Sequence, residues 1–293
     1  MSFQIFTDTS ANLPTALAQE KQIGVIPFTY IVEGEERSCL DTEAFDGAEY
    51  YGLLRSRANI STSQINPQRY VEYMEPALKA GQDILYIGMS SGISGSYQSA
   101  CIAAEQLRDA YPQREVRTVD TLGASLGEGL VVLSAAENRD KGLSLDNTVS
   151  AALKQSQCMY QVFLVDDLFH LKKNGRLSNA ASIVGTVLQI KPILKGNEQG
   201  QIVCIAKERG RRRAIRALAD HYKAYVKDAP NQTVGIAHAD CAEDAEYLSG
   251  LIREAARPKS VLNVLYEPVT GSHVGSGTLA LFFRGDELVR SKD

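Results

Sequence analysis

No apolar run in this 293-residue chain approaches the ~20 residues that a membrane-spanning helix needs. The opening MSFQIFTDTS lacks the basic and apolar regions of a secretion signal, so the expected location is the cytoplasm. Positive charge is not in excess either. Lys and Arg number 31 against 35 Asp and Glu, a net charge of −4 that argues against general nucleic-acid binding. The five cysteines, Cys39, Cys101, Cys158, Cys204 and Cys241, form no CxxC pair and no Cys/His cluster. That scatter speaks against a disulfide framework and a zinc site, and predicts reduced thiols. No GxxxxGK[ST] loop occurs, so a nucleoside triphosphate has no lysine-bearing phosphate cradle. GISGSY (Gly92–Tyr97) is not the dinucleotide GxGxxG, and SGSYQ is not the elbow of serine hydrolases.

What is present is an alternation of short apolar runs with helical patterns. Phe3–Phe6, Gly24–Val32, Asp83–Met89 and Val116–Asp120 are predicted strands. Glu43–Arg57, Arg69–Ala80 and Tyr97–Ala110 are predicted helices between them. This order predicts an α/β fold whose parallel sheet is covered by helices. Two further helical runs, Ala124–Asn138 and Leu145–Gln155, precede the strand Tyr160–Val165. A boundary between two α/β domains is placed there, giving residues 1–157 and 158–293. In the second, Ser182–Gly196 runs from an apolar helix into a strand, and Asn197–Gln201 is the turn of a hairpin returning along Ile202–Lys207. The helix Arg211–Val226, strand Thr233–Ala239, helix Glu243–Ala256 and strands Ser260–Val269 and Leu279–Gly285 follow. A hairpin inside such an alternation predicts a mixed sheet.

The segment MSSGISGSYQSA (Met89–Ala100) holds five serines and two glycines, without a lysine or arginine. Ser94 and Ser96 stand where a helix begins, and Gly92 and Gly95 allow close approach of the backbone. One serine suffices for N-capping. Neutral donors at a helix start would leave a polyphosphate poorly compensated, whereas two or three of them satisfy a carboxylate. STSQ (Ser61–Gln64), with Thr62 and Ser63, is a second hydroxyl cluster, read either as a cap before Pro67 or as part of the same crevice. His273, in GSHVGSG, is read as lying in a flexible turn between two strands, with His170, His221 and His238 showing no convergence on it. Asp8, Asp120, Asp166 and Asp167 stand at strand ends and are read as caps rather than metal ligands. The run KERGRRRAIR (Lys207–Arg216) puts arginines at a helix start, where the dipole disfavours them unless something anionic is near. Ala180–Ile190 reads as either tunnel wall or plain core.

Eight motifs occur in one order across nearly the whole chain. They are FTDTSANLP (Phe6–Pro14), TSQ (Thr62–Gln64), SSGISGSYQSA (Ser90–Ala100), VDTLGASLGEG (Val119–Gly129), KKNGRLS (Lys172–Ser178), IKPIL (Ile190–Leu194), ERGRRRA (Glu208–Ala214) and SHVGSG (Ser272–Gly277). In this the sequence resembles the DegV family of bacterial fatty-acid-binding proteins, the group that includes the FakB subunits of fatty acid kinase. It departs from the usual pattern at Asn174, at Ser276 and at Ile65-Asn66, where glycine, proline and Pro-Ser are common. The resemblance implies a two-domain α/β fold with a long-chain fatty acid between the domains and no other cofactor. It assigns the carboxylate to the positions of Thr62, Ser63, Ser94 and the Gly95 backbone, with His273 nearby. It also implies a non-enzymatic carrier that presents its fatty acid to a separate ATP-dependent fatty acid kinase, with Arg176 and Arg209 toward that partner or the phosphorylated headgroup. The alternative reading is an enzyme acting on acyl or phosphoryl esters, with Ser94 as nucleophile and His273 as base. A third assigns Lys207–Arg216 to a partner or to transient contact with a membrane surface.

Overall fold

The computed structural model describes residues 3–166, 168–178 and 189–292, and three sheets form among them. The first is parallel throughout. Its strands lie side by side as Ile23–Ile26, Phe3–Asp8, Asp83–Gly88 and Val116–Asp120. Every residue of Asp83–Gly88 is buried, as a parallel strand covered on both faces requires. The second sheet is mixed, in the order Ile202–Arg209, Ile190–Gly196, Met159–Leu164, Leu279–Arg284, Thr233–His238 and Ser260–Leu265. Only its last two strands run parallel. The α/β class, the parallel sheet and the hairpin-bearing mixed sheet agree with the sequence reading.

A period of two divides the mixed sheet's side chains between two cores. Tyr160, Val162, Leu164, Leu279, Leu281 and Phe283 pack with residues of the helices Arg211–Tyr225 and Ala242–Ala255. Phe163, Ala280 and Phe282 instead join the core shared with the first half of the chain. The face that meets the parallel sheet's loops is therefore set by sequence parity.

Three local predictions need correction. Gly24–Val32 is not one strand: Pro27, lacking an N–H, ends the parallel strand at Ile26. Phe28 then donates its N–H to Thr9 Oγ1 (3.1 Å), and the chain resumes at Thr29–Val32 in a third, antiparallel sheet with Glu35–Arg37 and Ile60–Ser63. STSQ accordingly sits on and just after a strand rather than in a cap; Asn66 caps the next helix by accepting from Arg69 N (2.9 Å). Pro268–Val274 forms a helix, so His273 is not in a flexible turn. The predicted helical part of Ser182–Gly196, most of Ala180–Ile190 and Asp167 lie outside the described residues.

Beneath the parallel sheet, Ser10 Oγ lies within hydrogen-bond reach of both Asp8 Oδ1 and Glu128 Oε2, the latter at 2.8 Å. One hydroxyl hydrogen cannot serve two carboxylates, so one acid carries a proton. Asp8 already receives the Ser10 N–H (2.9 Å) and the Tyr86 hydroxyl (2.6 Å). Glu128 is therefore the protonated partner, and its burial beside Asp8 holds its pKa well above the usual 4.5. A raised carboxyl contributes stability below its unfolded pKa and loses it as pH climbs toward the folded one. Glu128→Gln, which keeps a donor toward Ser10, should thus show a smaller fall in thermal midpoint than the parent chain between about pH 5 and pH 8. Equal falls in the two proteins would refute the assignment.

Candidate functional site

Thr62 and His273 are 211 residues apart in sequence, yet Thr62 Oγ1 and His273 Nε2 lie 2.9 Å apart. Each is delivered by a different part of the fold. Thr62 pairs with Tyr30 in the small antiparallel sheet. The helix Pro268–Val274 carries His273 and is gripped by groups from the first half of the chain. Tyr50 OH donates to Pro268 O (2.7 Å) and Tyr51 OH to Tyr266 O (2.8 Å). Asn12 joins them, its Nδ2 donating to Leu265 O (2.8 Å) and its Oδ1 accepting the Glu267 N–H (2.9 Å). Glu267 then caps the helix, accepting from Val269 N (2.7 Å) and Thr270 N (2.6 Å). An acid directly before a proline at a helix start was the sequence signal for this helix, and the glycines after it obscured that signal.

The serine-rich loop divides its hydroxyls between structure and site. Ser90 is fully buried, donates to Gly200 O (2.8 Å) and accepts from Gly92 N (3.0 Å). It ties the loop to the hairpin turn of the mixed sheet. Gly92 serves the same contact, since a Cβ there would lie 2.4 Å from Gln199 O. The helix starts at Ser96, whose Oγ accepts the Ile65 N–H (3.2 Å). Ser94 Oγ donates to Ser96 Oγ (3.1 Å) and accepts its N–H (3.2 Å). Gly88–Gly92 (GMSSG) does fit the GxSxG spacing, a match the sequence reading overlooked. Its serine is Ser90, whose hydroxyl is consumed as described and has no histidine partner. Ser94 likewise makes no hydrogen bond to His273, so the nucleophile–base pair of the enzymatic alternative is not assembled.

Thr62, Ser63, Ser94, Gly95, Arg176 and His273 line one cavity of about 180 Å³, against the ~15 Å³ that a single water occupies. Gln64 joins them, and a Cβ on Gly95 would meet its Oε1 at 2.3 Å. The remaining lining is largely apolar and spans both sheets, with Phe28, Met89, Phe163, Ile202 and Phe282. Arg176 is the one charged residue among the described lining. Its guanidinium donates to Ile93 O (3.4 Å) and Asn174 O. Arg209, on the edge strand Ile202–Arg209, is exposed and does not line the cavity. The sequence reading missed the loop Leu122–Ser125, which walls the cavity while Leu122 and Ser125 hold φ of 53° and 52°. It also missed that His170 approaches this region: a Cβ on Gly275 would lie 2.6 Å from its Cδ2.

Burial drives the His273 pKa down to about 4, with the positive charge of Arg176 and then of His170 adding to the effect. At neutral pH the imidazole is uncharged, and its buried Nδ1 has no hydrogen-bond partner among the described residues. Such an unmade bond costs about 1–3 kcal/mol, unless a ligand supplies the partner. Because the folded value lies below the ordinary 6.5, this residue withdraws stability as pH falls from 6.5 toward 4. An NMR titration of the ligand-free protein should place His273 near 4. Arg176→Gln should raise that midpoint while leaving it below 6.5, since burial is the larger cause. A parent midpoint near 6.5 would contradict the buried geometry.

The DegV family model, described as an uncharacterised protein family, matches residues 2–286. A DegV domain-containing protein of Clostridium perfringens is 39% identical over 285 residues, covering 97% of this chain and 98% of that one. A Streptococcus pyogenes relative is 34% identical, with 97% and 99% covered. Among solved structures, a fatty-acid-binding DegV family protein of Thermus thermophilus superposes with a TM-score of 0.88 at 26% identity, covering 98% and 100% of the two chains. A fatty acid binding DegV family protein of Streptococcus agalactiae gives 0.84 at 28% identity, with 98% and 99% covered. By the family model and these relatives together, the chain belongs to the DegV family.

Proposed function

We propose that this protein is a carrier that binds a long-chain fatty acid, and not an enzyme. The carboxylate sits at Thr62, Ser63, Ser94, the Gly95 backbone and His273, and the tail lies against the apolar lining between the α/β domains 1–157 and 158–293. The observation that carries the reading is one cavity in which uncharged donors, with Arg176 beside them, meet Phe28, Met89, Phe163, Ile202 and Phe282. The fatty acid binding of the Thermus and Streptococcus agalactiae relatives supports it. Burying about sixteen methylenes at ~0.8 kcal/mol each supplies a gross ~13 kcal/mol, much of it offset by ordering and association. The tail thus supplies affinity and the hydroxyls fix the headgroup. The protein works in the cytoplasm and presents the carboxylate to a separate ATP-dependent kinase that forms an acyl phosphate. Arg176, in the cavity, and Arg209, on the exposed edge strand, face that partner. Among the described residues no helix is long and apolar enough to cross a membrane.

Organic extraction of the purified protein followed by mass spectrometry should release a long-chain fatty acid. Thr62→Val and Ser94→Ala, which keep size and remove donors, should each weaken oleate binding by about tenfold without abolishing it. Protein that carries no lipid and takes up no added oleate would end the proposal.

A further inference from the structure

Arg290 lies past residue 286, where the match to the family model ends, yet it is buried, with 4% of its surface exposed. Its guanidinium is held by backbone carbonyls. Nη2 donates to Leu122 O and to Asn197 O (2.9 Å), and Nε donates to Asn197 O as well (3.1 Å). Nη1 donates to Met159 O (3.1 Å) and Ser156 O (3.4 Å). Five donors fixed in one plane can gather carbonyls that no helix or sheet joins. The tail that carries this arginine is itself anchored. Val289 is fully buried in the core of the helices Arg211–Tyr225 and Ala242–Ala255, and the buried Lys195 Nζ donates to Arg290 O (3.2 Å) and Lys292 O.

Two of these carbonyls open segments that wall the first cavity. Leu122 begins the loop Leu122–Ser125, and Asn197 begins the turn Asn197–Gln201, whose Gly200 accepts from Ser90 Oγ. Loop and turn meet closely, since a Cβ on Gly200 would lie 3.0 Å from Leu122 Cα. The guanidinium stands behind that junction: a Cβ on Gly196, a lining residue, would lie 3.2 Å from its Nη2. Leu122 holds φ 53°, a conformation that a branched side chain keeps only when its surroundings impose it. Among the described residues two side chains hold its carbonyl, Arg290 and, at a longer 3.3 Å, Gln161 Nε2.

We infer that Arg290 is a positioning residue for the fatty-acid cavity, locking the loop Leu122–Ser125 to the turn Asn197–Gln201 and thereby slowing the escape of a bound fatty acid. The inference rests on the fatty-acid reading for its ligand, whereas the clamp belongs to the ligand-free fold. Arg290 does not line the cavity and acts only through the two walls. Without it the strained Leu122 is held by the weaker Gln161 contact, and the junction of the walls opens more often. Lysine offers one point of donation where the guanidinium spans several carbonyls, so it restores the clamp only in part.

Hydrogen exchange of the ligand-free protein reads the clamp, and stopped-flow release of oleate reads its consequence. Arg290→Met should speed exchange of the 121–125 amides about tenfold and release oleate about tenfold faster. Exchange in the helix Arg211–Tyr225 should stay at the parent level. Arg290→Lys should fall between parent and Arg290→Met in both measurements, and it carries the test if Arg290→Met does not fold. Ile252→Ala, in the other core, lowers the thermal midpoint without touching the clamp and should release oleate at the parent rate. Parent-like exchange in the folded variants, faster exchange with unchanged oleate release, or an equal gain in release from Ile252→Ala would each overturn the inference. A parent protein that takes up no oleate refutes the fatty-acid reading instead, and the exchange comparison then decides the clamp by itself.

Discussion

The helix Pro268–Val274 is the piece on which the site depends, and hydrogen bonding to the other half of the chain holds it. A short buried helix leaves polar backbone groups that must find partners. Here Tyr50, Tyr51 and Asn12 supply them at one flank, and Glu267 supplies the cap. Gly271 makes room for this grip, since a Cβ there would fall 2.2 Å from Tyr51 Oη. With the helix fixed, His273 is brought to Thr62 without any direct covalent or sheet connection between them.

A second constraint is the treatment of buried acids. Asp8, Glu128 and Glu267 are all buried, and hydroxyl or backbone N–H groups, rather than cations, satisfy them. Burial raises all three carboxyls, Glu267 to about 7. Neutral donors give these buried carboxyls their hydrogen bonds, but desolvation outweighs them and raises all three, so the interior holds acids without cations partly by keeping a proton on them. Within the basic run Lys207–Arg216, Arg211 pairs with Asp166 and Asp244, and Arg212 stands 4.1 Å over the Tyr247 ring.

Much of the fold was legible because its strongest elements advertise themselves locally. Ile84–Ile87 is a continuous apolar run, and the helices Pro67–Lys79 and Ser96–Ala110 show clear periodicity. What failed depended on distant partners. Glu35–Arg37 is wholly exposed and polar, so nothing but its pairing with Tyr30–Val32 makes it a strand. The segment after Glu267 is rich in glycine, and only contacts with Tyr50 and Tyr51 reveal why. The departures from the family pattern are easier to place. Asn66 provides the cap of the next helix, and Ser276 donates to Tyr51 O (2.9 Å). Asn174 has φ −92°, and Gly175 takes the left-handed position at 69°, so glycine is not required at 174.

Of the residues singled out by type and spacing, the hydroxyls and the histidine converge while Arg209 does not. Arg209 ends the edge strand of the mixed sheet, away from the cavity. The serine loop packs its backbone against the hairpin turn at Gly200 and its helix start against Ile65. Arg176 instead comes from a separate segment, anchored by carbonyls rather than by carboxylates. Its charge therefore remains available in the cavity and is felt by His273, whose proton affinity it lowers. Among the described residues no carboxylate pairs with Arg176, and the imidazole beside it stays neutral. The serine loop carries no lysine of its own, and the one charged residue lining the cavity, Arg176, comes from a separate segment and meets that loop at Ile93 O.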